Sequence, residues 1–267
     1  MIDSAPAQLN GSMRFRYATP AIVLRTRPYG ESDKIVSFLT ENHGKVTGIA
    51  KGAKRSRKRF VNSLEPFSLV ELRFQDRPHG GLVFILASDL LCGFRNLASS
   101  LEKIAFASYL VEIADGLIGE RDENPLVFQH LKSGLNFVEN KPSSLLFLIA
   151  FELKLLRLTG YKPSLSSCVQ CAKERNDDLP VRWHFSPKDG GIFCQRCSET
   201  RREILPIGSA ALAALVDLQE EMGDLSSRIT PPSSVLKEIR SIIVRFIQFQ
   251  MDRDINSASF LYQFCAL

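Results

Sequence analysis

No run of about 18 uninterrupted apolar residues occurs in this 267-residue chain, so no membrane-spanning helix is expected. Met1 to Ser12 lack the basic n-region and apolar stretch of a secretory signal. They read as a disordered extension over 1–12, with Met13 as an alternative start. Catalytic signatures are missing too. Gly44-Lys45 has neither the upstream glycine nor the following hydroxyl residue of a phosphate-binding loop. No His-x-Glu precedes the paired cysteines, which excludes a zinc deaminase. The four histidines are scattered, and no Ser or Cys has a recognisable base nearby. Asp122-Glu123 and Asp177-Asp178 are acidic pairs that read as solvated loop residues, not as a metal-ion nuclease site. The chain therefore reads as a binding protein, not an enzyme.

What the chain does have is a concentration of thiols. Cys168-Val169-Gln170-Cys171 and Cys194-Gln195-Arg196-Cys197 form two Cys-x-x-Cys knuckles. Four thiolates at this spacing suit one tetrahedral Zn²⁺ per chain with no open position, a structural site. The gap between the knuckles is slightly long, which a loop absorbs, and Gly190-Gly191, Pro163 and Pro187 supply turns. A redox Cys-x-x-Cys would be single and lie between a strand and a helix. A disulfide framework belongs to small secreted chains. His184 and Asp189, between the knuckles, read as solvated loop residues, and Cys92 and Cys265 as buried free thiols. With cysteine used in this way, the expected compartment is the cytoplasm.

Charge is also unevenly spread. The net charge is +5, yet residues 13–80 hold 14 Lys/Arg against 6 Asp/Glu, leaving 20 basic and 23 acidic elsewhere. The basic character is confined to the N-terminal region and points to a polyanion partner there. That region also carries five strand patterns: Tyr17 to Arg27, Lys34 to Thr40, Lys45 to Ala50, Phe67 to Phe74, and Gly81 to Ala87. The last is apolar enough to be buried on both faces. Five short strands in this span fit a small closed oligonucleotide-binding barrel, with its longer connection after the third strand. That connection opens with Lys51, Lys54, Arg55, Arg57, Lys58 and Arg59, six cations in nine residues with no acid. Like charges this dense repel unless a polyanion neutralises them, so these six are the candidate DNA contacts on a flexible loop. Phe60, Tyr17 and Tyr29 are candidate base-stacking aromatics.

From Leu97 the apolar period becomes helical. Helices are expected from Leu101 to Ile118, from Pro125 to Phe137, from Pro142 to Leu158, and from Ser209 to Met222. Pro125 and Pro142 are each expected in a first turn, and Pro231-Pro232-Ser233 opens a further, long helix. The third is apolar nearly all round until Glu152, Lys154 and Arg157, so it should lie centrally. The fold class is thus multidomain α and β: a five-stranded OB-fold barrel over 13–92, then an α-helical domain over 93–267. A zinc-ribbon-like insert built on the four knuckle cysteines occupies 163–203, a segment with little core of its own.

Several short motifs recur in a particular order: Gly30-Glu31-Ser32-Asp33; Gly44-Lys45; Ala50-Lys51-Gly52-Ala53 leading into the basic run; and Leu64-Glu65-Pro66-Phe67. Phe151-Glu152-Leu153 with Leu155-Leu156, Gly160-Tyr161-Lys162-Pro163 and the paired knuckles follow. Together, over essentially everything from Met13 onward, they resemble the RecO recombination mediators of bacterial DNA repair. The resemblance implies DNA binding without cleavage, on single and double strands, annealing of complementary strands, and a nucleoid location. It also implies partnership with RecR, binding of the acidic C-terminal tail of single-strand-binding protein, and indirect help in loading RecA. For that acidic tail, Lys154 and Arg157, three apart on the third helix, are candidate cations. The N-terminal extension and the scarcity of charge before Glu152 depart from the family. An RNA-binding or transcription-associated zinc protein, and a DNA-modifying enzyme, are the competing readings.

Overall fold

The computed structural model describes residues 16–78, 80–142, 144–175, 182–220 and 230–264. The extension over 1–12, Met13, Asp177-Asp178, the helix end at Met222 and Cys265 lie outside the described residues. The chain divides into two compact units, through Gly93 and from Phe94. No helix among the described residues is long and apolar enough to cross a membrane.

The first unit is a closed five-stranded barrel of the OB type. β1 (Arg16–Tyr29), β2 (Asp33–Thr40), β3 (Lys45–Ala50), β4 (Leu69–Gln75) and β5 (Val83–Cys92) close in the order β1-β2-β3-β5-β4. β1 serves two neighbours: Arg16 to Ile22 pair with β4, and Ala21 to Tyr29 pair with β2. A register irregularity between Val23 and Arg25 lets it bend from one to the other. Parallel β3 and β5 meet through Gly48↔Val83 and Ile49↔Phe84. A Cβ on Gly48 would stand 2.4 Å from Ile85 Cδ1 and 2.6 Å from Val83 Cγ2, so a side chain here would force these two β5 side chains to shift. Val36, Phe38, Val46, Leu72, Phe74 and Ile85 fill the interior. Burying each such side chain contributes roughly 1.5–3 kcal/mol.

Three expectations need correction here. β5 does not bury both faces: Val83 and Ile85 point inward, whereas Phe84 and Leu86 are only half-buried. The strand also runs on to Cys92, which is exposed and not a buried thiol. Phe60 is 5% exposed and belongs to the barrel core with Ala53 and Leu64, so it is not available to stack bases. The β3–β4 connection thus plugs the barrel with its own apolar residues.

The second unit is helical. α1 (Leu101–Leu117), α2 (Pro125–Asn140) and α3 (Leu145–Leu158) have side-chain N-caps: Ser100 accepts from Lys103 N, Asn124 from Val127 N and Ser144 from Phe147 N. Such caps satisfy amides that a helix start leaves unpaired. Pro125 is in the first turn of α2 as expected, but Pro142 lies ahead of the Ser144 cap. The serine, which accepts a hydrogen bond that proline cannot replace, sets the start of α3. α3 packs on α1, α2, α5 (Ser209–Glu220) and α6 (Ser233–Met251) and is central to the bundle. α6 lays Leu236, Ile239, Ile242, Ile243, Phe246 and Ile247 inward. A last helix, α7 (Asn256–Phe264), was not foreseen; its first amides, Asn256 N and Ser257 N, donate to the Glu112 carboxylate of α1.

Glu152 does not mark a solvated end of α3. It is fully buried and joined to Arg240 of α6 and Tyr109 of α1. The cysteine segment is likewise more than a polar loop. β6 (Trp183–Ser186), β7 (Gly191–Cys194) and β8 (Leu205–Ile207) form an antiparallel sheet ordered β7-β6-β8, with one-turn α4 (Gln195–Ser198) after β7. Its Phe185 is fully buried and meets Phe246 of α6 edge-on at 5.4 Å. The insert therefore shares the core of the helical unit.

Candidate nucleic-acid interface and metal centre

Lys51, Lys54, Arg55, Arg57, Lys58 and Arg59 are all exposed, on the connection that leaves β3. The loop is not a free tether. Gly52 takes a left-handed conformation (φ +68°), and its N–H donates to Asp33 Oδ1 at 2.8 Å. That amide, the Ser32 hydroxyl and the charges of Lys51 and Lys54 hold the Asp33 carboxyl below the usual carboxylate range. Lys54 donates through its backbone N to Ser32 O and through Nζ to Gly30 O. A short 3₁₀ turn over Ala53–Arg55 follows, with Ala53 as its buried anchor. Arg59 closes the loop: Nη2 donates to Lys51 O at 2.8 Å, and its carbonyl accepts from Ser88 N.

Two sets of cations result. Lys51, Lys54 and Arg59 are tied back to the barrel. The side chains of Arg55, Arg57 and Lys58 have no hydrogen-bond or ion-pair partner among the described residues. Such a rigid-based, open-tipped loop can meet phosphates without reading sequence. Tyr17 is partly buried, stacked on Phe74 at 4.9 Å beside His43, and so serves the barrel; Tyr29 is 53% exposed. Sequence reading missed Arg16, Arg73 and Arg77. They are isolated in the chain, and only strand pairing brings Arg16 and Arg73 with Arg59 around a groove of about 480 Å³.

The four knuckle cysteines converge. Their sulfurs all lie within 4.8 Å of one another, and Cys171 Sγ is 3.7 Å from Cys194 Sγ. A tetrahedron with metal–sulfur bonds of about 2.3 Å has edges of about 3.8 Å, so the four positions fit one ion. Cys168, Cys194 and Cys197 are buried and Cys171 is exposed. Burial would raise the Cys168 thiol, but backbone amides of Cys194, Cys171 and Gln170 bring it down to about 6. Cys197 is pushed up to about 12 by burial and by the neighbouring thiols. A cation is what lets all four be thiolates together. Asp189 is an exposed turn residue between β6 and β7, as expected, and is held by Ser186 and Arg201, whereas His184 lies half-buried in β6 and is not the solvated loop residue expected.

The N-terminal unit matches the family model described as "Recombination protein O N terminal" over residues 13–94. The one described as "Recombination protein O C terminal" matches 98–259. The chain is 33% identical over 250 residues to the DNA repair protein RecO of Syntrophus aciditrophicus (strain SB), covering 93% of this chain and 96% of that one. The chain belongs to the RecO family. Against the DNA repair protein RecO of Caldanaerobacter subterraneus subsp. tengcongensis, identity is 32% over 93% of this chain and 98% of the other. Both elements of the site, the basic barrel loop and the four cysteines, thus sit in a RecO framework.

On this RecO-family chain the candidate cations for an acidic partner are less assembled. Lys154 is half-buried on α3, and Arg157 is exposed three residues on. Burial first, then the Lys154 charge, hold His130 down at about 4, against a Phe151 carbonyl contact that works the other way. A separate groove of about 590 Å³ in the same unit is lined by Lys188, Arg245 and exposed Phe249.

Proposed function

We propose that this chain is a non-catalytic DNA-binding mediator of recombinational repair. It anneals complementary single strands and, with RecR, promotes RecA loading on DNA coated by single-strand-binding protein. The observation that carries this reading is the acid-free loop on a closed OB-type barrel, with Arg55, Arg57 and Lys58 exposed and unpartnered among the described residues. Annealing requires neutralising phosphate on two strands while leaving base edges free to pair, and cations on a firm base meet that requirement. The four cysteines hold one Zn²⁺ with no water ligand, a closed centre that supplies no chemistry to a substrate. Lys154 and Arg157 are the proposed cations for the acidic tail of single-strand-binding protein. The site of action is the cytoplasm, at the nucleoid.

The test is annealing of complementary oligonucleotides coated with single-strand-binding protein, without ATP. The pure protein should accelerate duplex formation and leave both strands intact when Mg²⁺ is added. Cleavage of a labelled strand would favour an enzyme, and preference for structured RNA over single-stranded DNA in competition would favour the RNA-binding reading.

A further inference from the structure

The outer wall of the barrel carries an aromatic ring where the interior has no use for one. Val83 and Ile85 face the core, which turns Phe84 and Leu86 outward. Phe84 is paired across the sheet with Gln75, and Gln75 with Arg16, whose Nε donates to Gln75 Oε1 at 3.3 Å. A row Arg16, Gln75, Phe84 therefore crosses three strands on one face. The Arg77 guanidinium lies 4.3 Å from the Phe84 ring centre and Lys51 Nζ 5.3 Å from it. Arg77 Nε is buried with no hydrogen-bond partner among the described residues, an unusual state for a group that donates so readily. Leu86 continues the face into the groove rimmed by Arg16, Arg59 and Arg73. Arg73 is answered by Asp89 at 2.8 Å, whereas Arg16, Arg59 and Arg77 meet no carboxylate among the described residues.

Cations alone would suit any phosphate, duplex or not. A half-exposed ring among them suits something flat as well as anionic, and an unpaired nucleotide is both. We infer that Phe84 is a stacking platform for one unpaired base of a single DNA strand, with the flanking phosphates held by Arg16, Arg59 and Arg77. This rests on the DNA-binding reading above and deepens it. The Arg77 guanidinium and a base would compete for the ring with contacts of comparable strength. A base takes its place on the ring, and the released guanidinium, with Nε now free, turns to a phosphate. In a duplex the base faces are stacked on each other, so the ring contributes only to single-strand binding. Sequence is not read, because every base has a π-face.

The experiment compares oligo-dT with an abasic backbone of equal length by fluorescence anisotropy at fixed salt. Wild-type protein should bind oligo-dT about tenfold more tightly than the abasic strand. Phe84→Leu should keep the abasic affinity and the salt slope and lose that difference. Phe84→Trp should retain it, with the new indole quenched on binding oligo-dT and unchanged by the abasic strand; the native Trp183 is buried and serves as a constant background. Equal wild-type affinity for the two strands, or a difference that survives in Phe84→Leu, overturns the stacking platform and leaves the loop standing as a phosphate site. Binding of neither strand by wild-type protein removes the DNA-binding reading itself and the platform with it.

Discussion

The two units treat arginine in opposite ways. On the barrel, Arg55 and Arg57 stand exposed without a side-chain partner among the described residues. In the helical unit Arg240 is 2% exposed and held by Glu152 and Tyr109. Burial, with the Glu152 charge beside it, pushes the Tyr109 hydroxyl well above its usual range, so it stays protonated there. A cation in water costs the fold little and keeps its field for a ligand. A buried one must bring its counter-charge with it, so it serves the fold. The difference separates charge kept for function from charge spent within the structure.

The comparison breaks most sharply at the third way of handling charge, the thiol cluster. Chelation, or a Cys171→Ala change, should abolish the proposed Zn²⁺ binding, with a loss on the order of 10 kcal/mol of metal-binding free energy. Limited proteolysis should then cut near the knuckles. Phe185 and Phe246 still pack without the metal, so the helical unit is expected to loosen locally, while the barrel resists. A metal-free protein as protease-resistant as the native one would show that the thiols do not depend on the ion.

Next comes the buried pair. Arg240→Ala or Glu152→Ala leaves an uncompensated charge and should cost about 3–5 kcal/mol in urea denaturation. Replacing both by apolar residues, Glu152→Leu with Arg240→Met, should cost much less, which is the signature of desolvated charge. His130 sharpens the same point through pH. Its folded pKa is held at about 4 against an ordinary 6.5. The unfolded chain therefore takes up a proton that the folded one refuses. Stability should be full above about pH 6.5 and fall toward pH 4, by on the order of 3 kcal/mol, with a flatter profile in His130→Leu.

The loop variant should do the reverse of these. Arg55→Ala/Arg57→Ala/Lys58→Ala should change the unfolding free energy by less than about 1 kcal/mol. DNA affinity should fall about equally for unrelated sequences, with a salt slope shallower by roughly two to three units. Arg59 is left in place because it braces Lys51 O. Wild-type affinity and slope in this variant would move the main DNA contact elsewhere. The smallest effect is expected from Lys154→Glu/Arg157→Glu, which should leave folding nearly unchanged and weaken binding of an acidic peptide. Unchanged peptide affinity would redirect attention to the groove of Lys188, Arg245 and Phe249.

The amino-acid order alone determines a good deal here. Alternation and turn residues place the five strands, apolar spacing places α1, α2, α3, α5 and α6, and paired Cys-x-x-Cys knuckles specify a four-sulfur cluster, because each of these signals is local. The six loop cations are legible for the same reason: they are adjacent. What tertiary structure alone decides is which way each side chain faces. Phe60 and Phe84 are both aromatics in the same unit, yet the first plugs the barrel and the second points out of it. That outcome depends on where β5 pairs with β3, a contact 35 residues apart at Ile49↔Phe84. Glu152 and Arg240 are separated by 88 residues, and no pattern within α3 announces that its carboxylate will be buried. Burial is a property of the assembled neighbours, so the partner that makes a charge tolerable becomes visible only when the helices have packed.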